Sequence, residues 1–360
     1  MFDKISIKSL LIAVAVLTVL NIIATVTLFY LRAGENSETE EVFAEEEITY
    51  ENNFVLQESV FEAPEPTPEH TPEPTPIPTA RLAFVGDLMC HDTQLDAARV
   101  SPGVYDFEYV FEYIAPYIQI ADFAIGNLET TLSRGNFAGW PLFRSPASYA
   151  QAILNAGFDM VTTGNNHSFD GGVSGVRSTI EILGEVGLPF TGTYLSPEER
   201  EIITLVEVNG FTLAILNFTM HTNGIEFGEN NFMAQIIYHD RTGQSVIDFE
   251  MIRQSMALAR ALNPDFIVVL PHIGIEYYGT QNSRFDTFSR NDTRWVNWIN
   301  TMHLFLEEGA DMVINHHPHT LLPAEFVYIP QEDGSERRTF MAYSLANFVS
   351  GQRTLPRETT

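Results

Sequence analysis

The chain has 360 residues, 45% of them hydrophobic, and a formal net charge of −28. With its arginines scattered and acid so far in excess, nucleic acid is excluded as a partner, since phosphate binding needs grouped Lys and Arg. The one cysteine, Cys90, excludes an intrachain disulfide. The fold must rest on an apolar core, which a segment of ~280 residues can supply.

From Ser9 to Leu31 no residue is charged, and Leu, Ile, Val and Ala dominate. At ~1.5 Å per residue such a run crosses a hydrocarbon core of ~30 Å. Lys4 and Lys8 precede it, and only Arg32 separates it from a glutamate-rich stretch. Basic flanks stay in the cytoplasm, so the bulk of the chain is expected outside. The run is longer than a signal-peptide core and closes on no small-x-small cleavage site. Residues 1–32 therefore read as a cytoplasmic stub and a single-pass anchor in the cell membrane. Residues 33–80 carry 13 Glu and no Lys, Arg or Asp, and proline alternates with Thr and Glu from Pro64 to Pro78. Polyproline II stiffness and like-charge repulsion make this a spacer, in which His70 is given no role.

Residues 81–360 form the folded part. A strand is expected over Arg81–Val85, a helix over Tyr105–Tyr117, a strand over Phe123–Ile125, and a helix capped by Ser145 that runs to Ala156. A strand over Met160–Thr163 and a helix over Gly171–Gly187 follow. Ile202–Val208 and Phe211–Phe218, joined by Asn209-Gly210, read as a β-hairpin. Then come a helix over Ser245–Leu262, a strand over Phe266–Leu270, a helix over Thr293–Glu308, and strands over Met312–Ile314, Glu325–Ile329 and Thr339–Tyr343. Trp295 and Trp298 stand at helical spacing and are assigned to the core, although with Tyr277 and Tyr278 they are also candidates to line a pocket. Alternating strands and helices indicate a layered α/β domain. There is no internal repeat, P-loop or dinucleotide glycine fingerprint.

Five of the apolar runs end in residues that bind metals. They lead to Asp87 and His91, to Glu129, to Asn166, His167 and Asp170, to His272 and Glu276, and to His316, His317 and His319. Ligands of open α/β sheets sit beyond the carboxyl ends of strands, so these ends can face one site. Imidazole is a common transition-metal ligand, and Pro318 is expected to hold His317 extended. The alternative is a set of solvated polar loops. Cys90 reads as a small buried residue in its turn.

In order, Gly86-Asp87-Leu-Met, Asn127-Leu-Glu129, Gly164-Asn165-Asn166-His167 with Asp170, His272-Ile-Gly-Ile-Glu276, His317-Pro-His319 and Ser344-Leu-Ala-Asn-Phe348 resemble the CapA-type capsule and poly-γ-glutamate synthesis family. The likeness covers roughly residues 81–350. That family is similar to the calcineurin-like metallophosphatases, which implies a four-layer α/β/β/α sandwich with two divalent transition metal ions (Mn, Fe or Zn). The resemblance implies that Asp87, His91, Glu129, Asn166, His272, His317 and His319 are metal ligands, with His91 at a wider spacing than usual. His167 matches the acid that protonates a leaving group, and Asp170 and Glu276 stand beside the metals or touch the substrate. The family usually has Gly where Ala346 stands, and it usually continues past residue 360. The expected role is capsule or poly-γ-glutamate biosynthesis or export, with an anionic polymer as substrate and a membrane polymer-synthase complex as partner. Two alternatives stay open: an extracellular metal-dependent phosphohydrolase acting on a phosphoester, and a non-catalytic envelope scaffold.

Overall fold

The computed structural model describes residues 78–225, 227–241, 244–278 and 293–352. The chain separates into two units, Met1–Glu73 and Pro74–Thr360, and every described residue lies in the second. The expected anchor and nearly all of the spacer fall outside the described residues. Among those described, no helix is long and apolar enough to cross a membrane.

Two sheets carry the domain. The first holds β1 (Leu82–Leu88), β2 (Phe123–Leu128), β3 (Met160–Thr162) and β4 (Phe190–Thr191). The second holds β5 (Thr204–Val208), β6 (Phe211–Thr219), β7 (Phe266–His272), β8 (Met312–Ile314), β9 (Ala324–Pro330) and β10 (Glu336–Ala342), in the order β9-β10-β8-β7-β6-β5. A final strand, β11 (Asn347–Val349), returns to the first sheet, whose order is β11-β1-β2-β3-β4 with every pair parallel. The second sheet is parallel except at its two edges.

Strand alternation separates three apolar cores, because successive side chains leave a strand on opposite faces. On β6, Leu213 and Ile215 point between the sheets, while Ala214 and Leu216 point outward. On β7, Val268 and Leu270 join the inner core, with Ile267 and Val269 in the outer one. On β2, Phe123 and Ile125 face inward and Ala124 and Leu128 outward. The outer face of the first sheet is covered by α1 (Asp92–Ala98), α2 (Ala147–Asn155) and α3 (Gly172–Val186), which place Leu95, Tyr149, Ile153, Ile182 and Leu183 on it. The second sheet is covered by α4 (Phe249–Ala261) and α5 (Thr293–Glu307), through Ile252, Met256, Met302 and Phe305. The result is a four-layer α/β/β/α sandwich. Each fully buried Leu, Ile or Phe contributes ~1.5–3 kcal/mol, so the inner core is a main contact between the sheets.

The Asn209-Gly210 hairpin forms as expected, both turn residues having positive φ (50° and 85°). α3 stops at Gly187 in the left-handed conformation. The expected helix over 105–117 is instead two single turns, Glu108–Phe111 and Ala115–Ile118, because Pro116 cannot continue the first. α4 starts at Phe249, not Ser245, with the Asp248 carboxylate accepting the Met251 N–H, and residues before it form the strand Gln244–Ile247. Trp298 is buried in the outer core against Tyr278, while the Trp295 side chain lies outside the described residues.

Candidate metal centre

The ends of β1 and β2 and the loop after β3 face the ends of β7 and β8 across the seam of the sandwich. Asp87 stands opposite both Asn127 and Asn347 in the sheet register. On the other side, His272 is bridged in parallel to His316. Buried asparagines brace these loops. Asn217 on β6 accepts the Gly164 N–H at 2.8 Å and donates to the Leu270 carbonyl at 2.6 Å, tying the Asn166 loop to the second sheet. A Cβ on Gly192 would stand 1.9 Å from Asn217 Oδ1, so only glycine fits there. Asn315 donates to the carbonyls of Ile273 and Tyr343 at 2.9 and 2.8 Å, which fixes the loop that carries His317 and His319. The Tyr277 N–H donates to the Pro318 carbonyl and joins the two histidine loops.

The side chains converge. Asp87, Glu129 and His272 each offer one ligand atom, all within 4.8 Å of one another, and all three residues are buried. His272 Nε2 lies 2.8 Å from Asn166 Oδ1, 3.1 Å from His317 Nδ1 and 3.6 Å from Glu129 Oε1. His319 Nδ1 lies 3.1 Å from Asp87 Oδ2, and its Nε2 is 3.8 Å from Glu129 Oε1. One proton on His272 Nε2 can serve only one of its three neighbours, whereas a cation among them serves all. Six of the seven expected ligands thus meet: Asp87, Glu129, Asn166, His272, His317 and His319.

His91 is placed differently. Its ring packs edge-on against Phe143, and its Nδ1 accepts the Gly351 N–H at 3.0 Å. The wider spacing from Asp87 puts it at the cap of α1. His317 also departs from expectation, with φ +93° in place of an extended backbone. His319, Tyr277 and Ala346 have positive φ as well (56°, 59° and 61°), so backbone strain gathers around the cluster.

Electrostatics fit a cation. Burial and then the Asp87 charge push the Glu129 carboxyl well above its ordinary range. Glu129 Oε1 is buried with no hydrogen-bond partner. Burial would raise Asp87 too, but the hydrogen bond and charge of His319 hold it below the usual value. Burial, reinforced by neighbouring imidazoles, keeps His272 and His317 well below 6.5, hence neutral and with a lone pair to give. Carboxylate, amide and imidazole donors together suit Mn, Fe or Zn better than Ca or Mg.

Three contributors were given no role in the sequence reading, although Asn127 and Asn347 stand in its motifs. Asn127 donates to Asp87 Oδ1 at 2.8 Å, while its own Oδ1 accepts from Thr162 and Asn165 at 3.2 and 3.1 Å. Its NH2 therefore faces the cluster and orients Asp87. Asn347 Oδ1 stands 2.9 Å from His319 Nδ1. His221 follows β6 and packs 5.5 Å from the His317 ring; its signal was another apolar run ending in a metal-type residue. His167 and Asp170 pair beside the cluster, Nδ1 to Oδ2 at 2.7 Å, and that same oxygen accepts the Phe143 N–H at 2.6 Å. Glu276 lines a cavity next to His317. Cys90 is fully buried, and its thiol is pushed up to about 12, mainly by burial, as suits a small buried residue.

Two curated relatives are similar to this sequence. The capsule biosynthesis protein CapA of Bacillus anthracis is 25% identical over 258 residues, covering 69% of this chain and 55% of that one. The PGA biosynthesis protein CapA of Bacillus subtilis is 26% identical over 275 residues, covering 75% and 63%. The match therefore spans less than two-thirds of either relative. Among solved structures, a Staphylococcus aureus protein provisionally described as a 5′-nucleotidase aligns at 16% identity with a TM-score of 0.41, over 76% of this chain and 56% of that one. The model of the family described as "Bacterial capsule synthesis protein PGA_cap" matches residues 81–352, and the chain belongs to that family.

Proposed function

We propose that this is a membrane-anchored, extracytoplasmic protein of capsule or poly-γ-glutamate production that acts on its polymer through a dinuclear centre of divalent transition metals. The observation that carries the reading is the buried meeting of Asp87, Glu129 and His272, with Glu129 Oε1 left without a hydrogen-bond partner. Family membership and the two CapA relatives support the biological role. The uncharged run Ser9–Leu31 and the acidic, proline-rich spacer support the location, and a membrane polymer-synthase complex is the partner such a tether suits.

Asp87, Glu129, Asn166, His272, His317 and His319 would hold the ions. Bound there, divalent ions supply Lewis-acid polarisation of an anionic group and an activated water. Asn127 keeps Asp87 aimed at the cluster, and Asn223 accepts from Asn166 Nδ2 at 3.3 Å, so that Oδ1 of Asn166 faces His272. Asp170 holds His167 through Nδ1, which leaves Nε2 to carry a proton toward a departing oxygen. That dyad favours a second reading, a phosphohydrolase with a phosphoester substrate.

The test has two arms. Metal analysis of the purified chain should find bound transition metal that Asp87→Ala and His317→Ala remove. Deleting the gene should lower surface polymer. A chain that takes up no metal returns the protein to a scaffold role. Unchanged polymer alongside phosphoesterase turnover supports the second reading over the first.

A further inference from the structure

A cavity of about 350 Å³ opens beside His317. One wall is apolar, with Met220, Ile237, Ile273 and Trp298. Its polar members are nearly all neutral or already engaged. The Thr301 hydroxyl donates to the Asn297 carbonyl at 2.7 Å, and His221 Nδ1 accepts the Asn223 N–H at 3.2 Å. The one carboxylate is Glu276. Among the described residues no Lys or Arg lines the cavity, and no lysine occurs in the chain after Lys8. Among the described residues, no Lys or Arg forms an ion pair with Glu276.

We infer that this cavity is a subsite for an amine, the apolar-bodied, ammonium-bearing part of a substrate whose anionic part is drawn to the neighbouring metal centre. The inference rests on the metal-centre reading above. A carboxylate at the edge of an apolar wall, with no Lys or Arg paired to it among the described residues, gains most from a ligand cation. An anionic group entering here would meet like charge and no compensating donor cation. The pair of sites would thus sort a zwitterionic or amine-bearing substrate by charge, acid toward the ions and ammonium toward Glu276.

Binding can be read on the full-length chain stripped with chelator, where neither ions nor turnover enter. The probes are 2-phenylethylamine, 2-phenylethanol and 3-phenylpropanoate, titrated by ligand-observed NMR. The amine should bind about tenfold more tightly than the carboxylate. Glu276→Gln should weaken the amine about tenfold and leave the alcohol within about twofold, while Ile237→Trp should block all three by filling the cavity. Equal affinity for amine and carboxylate overturns the proposal. So does an amine affinity unmoved by Glu276→Gln, or the failure of every probe to bind. Amine binding in a chain that takes up no metal would leave the subsite standing and remove the proposed function; metal uptake without amine selectivity would do the reverse.

Discussion

Glu129→Gln should change the sign of its effect on stability with metal. In the stripped protein two buried carboxylates, Asp87 and Glu129, present ligand atoms no more than 4.8 Å apart. At an effective dielectric of ~20 two full charges at that separation repel by about 3.5 kcal/mol. Glu129 escapes part of this by holding its proton, as its raised pKa indicates, so the relief on removing the charge is smaller, ~1–2 kcal/mol. The amide keeps the shape of the side chain, and no cavity term enters. With an ion bound the same change removes an anionic ligand, and affinity should fall by at least ~100-fold, or ~2.7 kcal/mol. Urea denaturation of wild type and variant, each in chelator and in excess Mn, reads both effects in one matrix. The variant should be the more stable protein in chelator and the less stable in Mn. If Glu129→Gln destabilises the stripped chain by 1 kcal/mol or more (~1.4 kcal/mol being tenfold in the equilibrium), or leaves metal stabilisation intact, the reasoning about this pair is wrong.

Other outcomes follow from single features. Ala346 holds φ +61°, and Ala346→Gly should stabilise the fold by ~0.5–1 kcal/mol, seen as a higher urea midpoint; a lower one means the lost methyl contact dominates. His91→Ala should keep bound metal at the wild-type level while His319→Ala loses it, as metal analysis of the two proteins will show, because His91 Nδ1 is engaged by Gly351. The Cys90 thiol, pushed up to about 12, is about one part in 10⁴ thiolate at pH 8, so thiol labelling should be silent in the native protein and appear only on unfolding. Metal affinity should rise with pH. His272 and His317, held low, contribute stability that is full above ~6.5 and is lost as pH falls through their folded values. Glu129, held high, contributes stability that is present below ~4.5 and is lost as pH rises through its folded value. Ion binding must displace the Glu129 proton, so calorimetry in buffers of different ionisation enthalpy should find proton release, and less of it for Glu129→Gln.

Most of the strand frame was legible because its physics is local. Runs such as Phe266–Leu270 and Met312–Ile314 are short, apolar and bounded by polar residues, and burial on two faces demands that pattern. The six converging side chains were legible for a related reason, since each lies at a strand end or within a few residues of one. The asparagines were not. Asn127, Asn217, Asn315 and Asn347 act through partners up to 145 residues away in sequence, and an amide reads the same whether it braces a loop or faces water. β11 escaped because three residues are too few to show a period, and its pairing with β1 is set by the rest of the sheet. The His317 backbone defied the local proline rule since tertiary contacts hold the turn, among them the bond from Tyr277 to the Pro318 carbonyl.

β11 has a consequence for how the protein comes into being. It pairs with β1, and it sets Asn347 opposite Asp87, so the earliest and latest parts of the folded chain lie side by side. Asp87, Glu129 and Asn166 leave the ribosome first, and the three imidazoles follow more than a hundred residues later. The cluster therefore closes only once the loop that carries His317 and His319 has been made. Until then Asp87, Glu129 and Asn166 stand without the three imidazoles that complete the cluster.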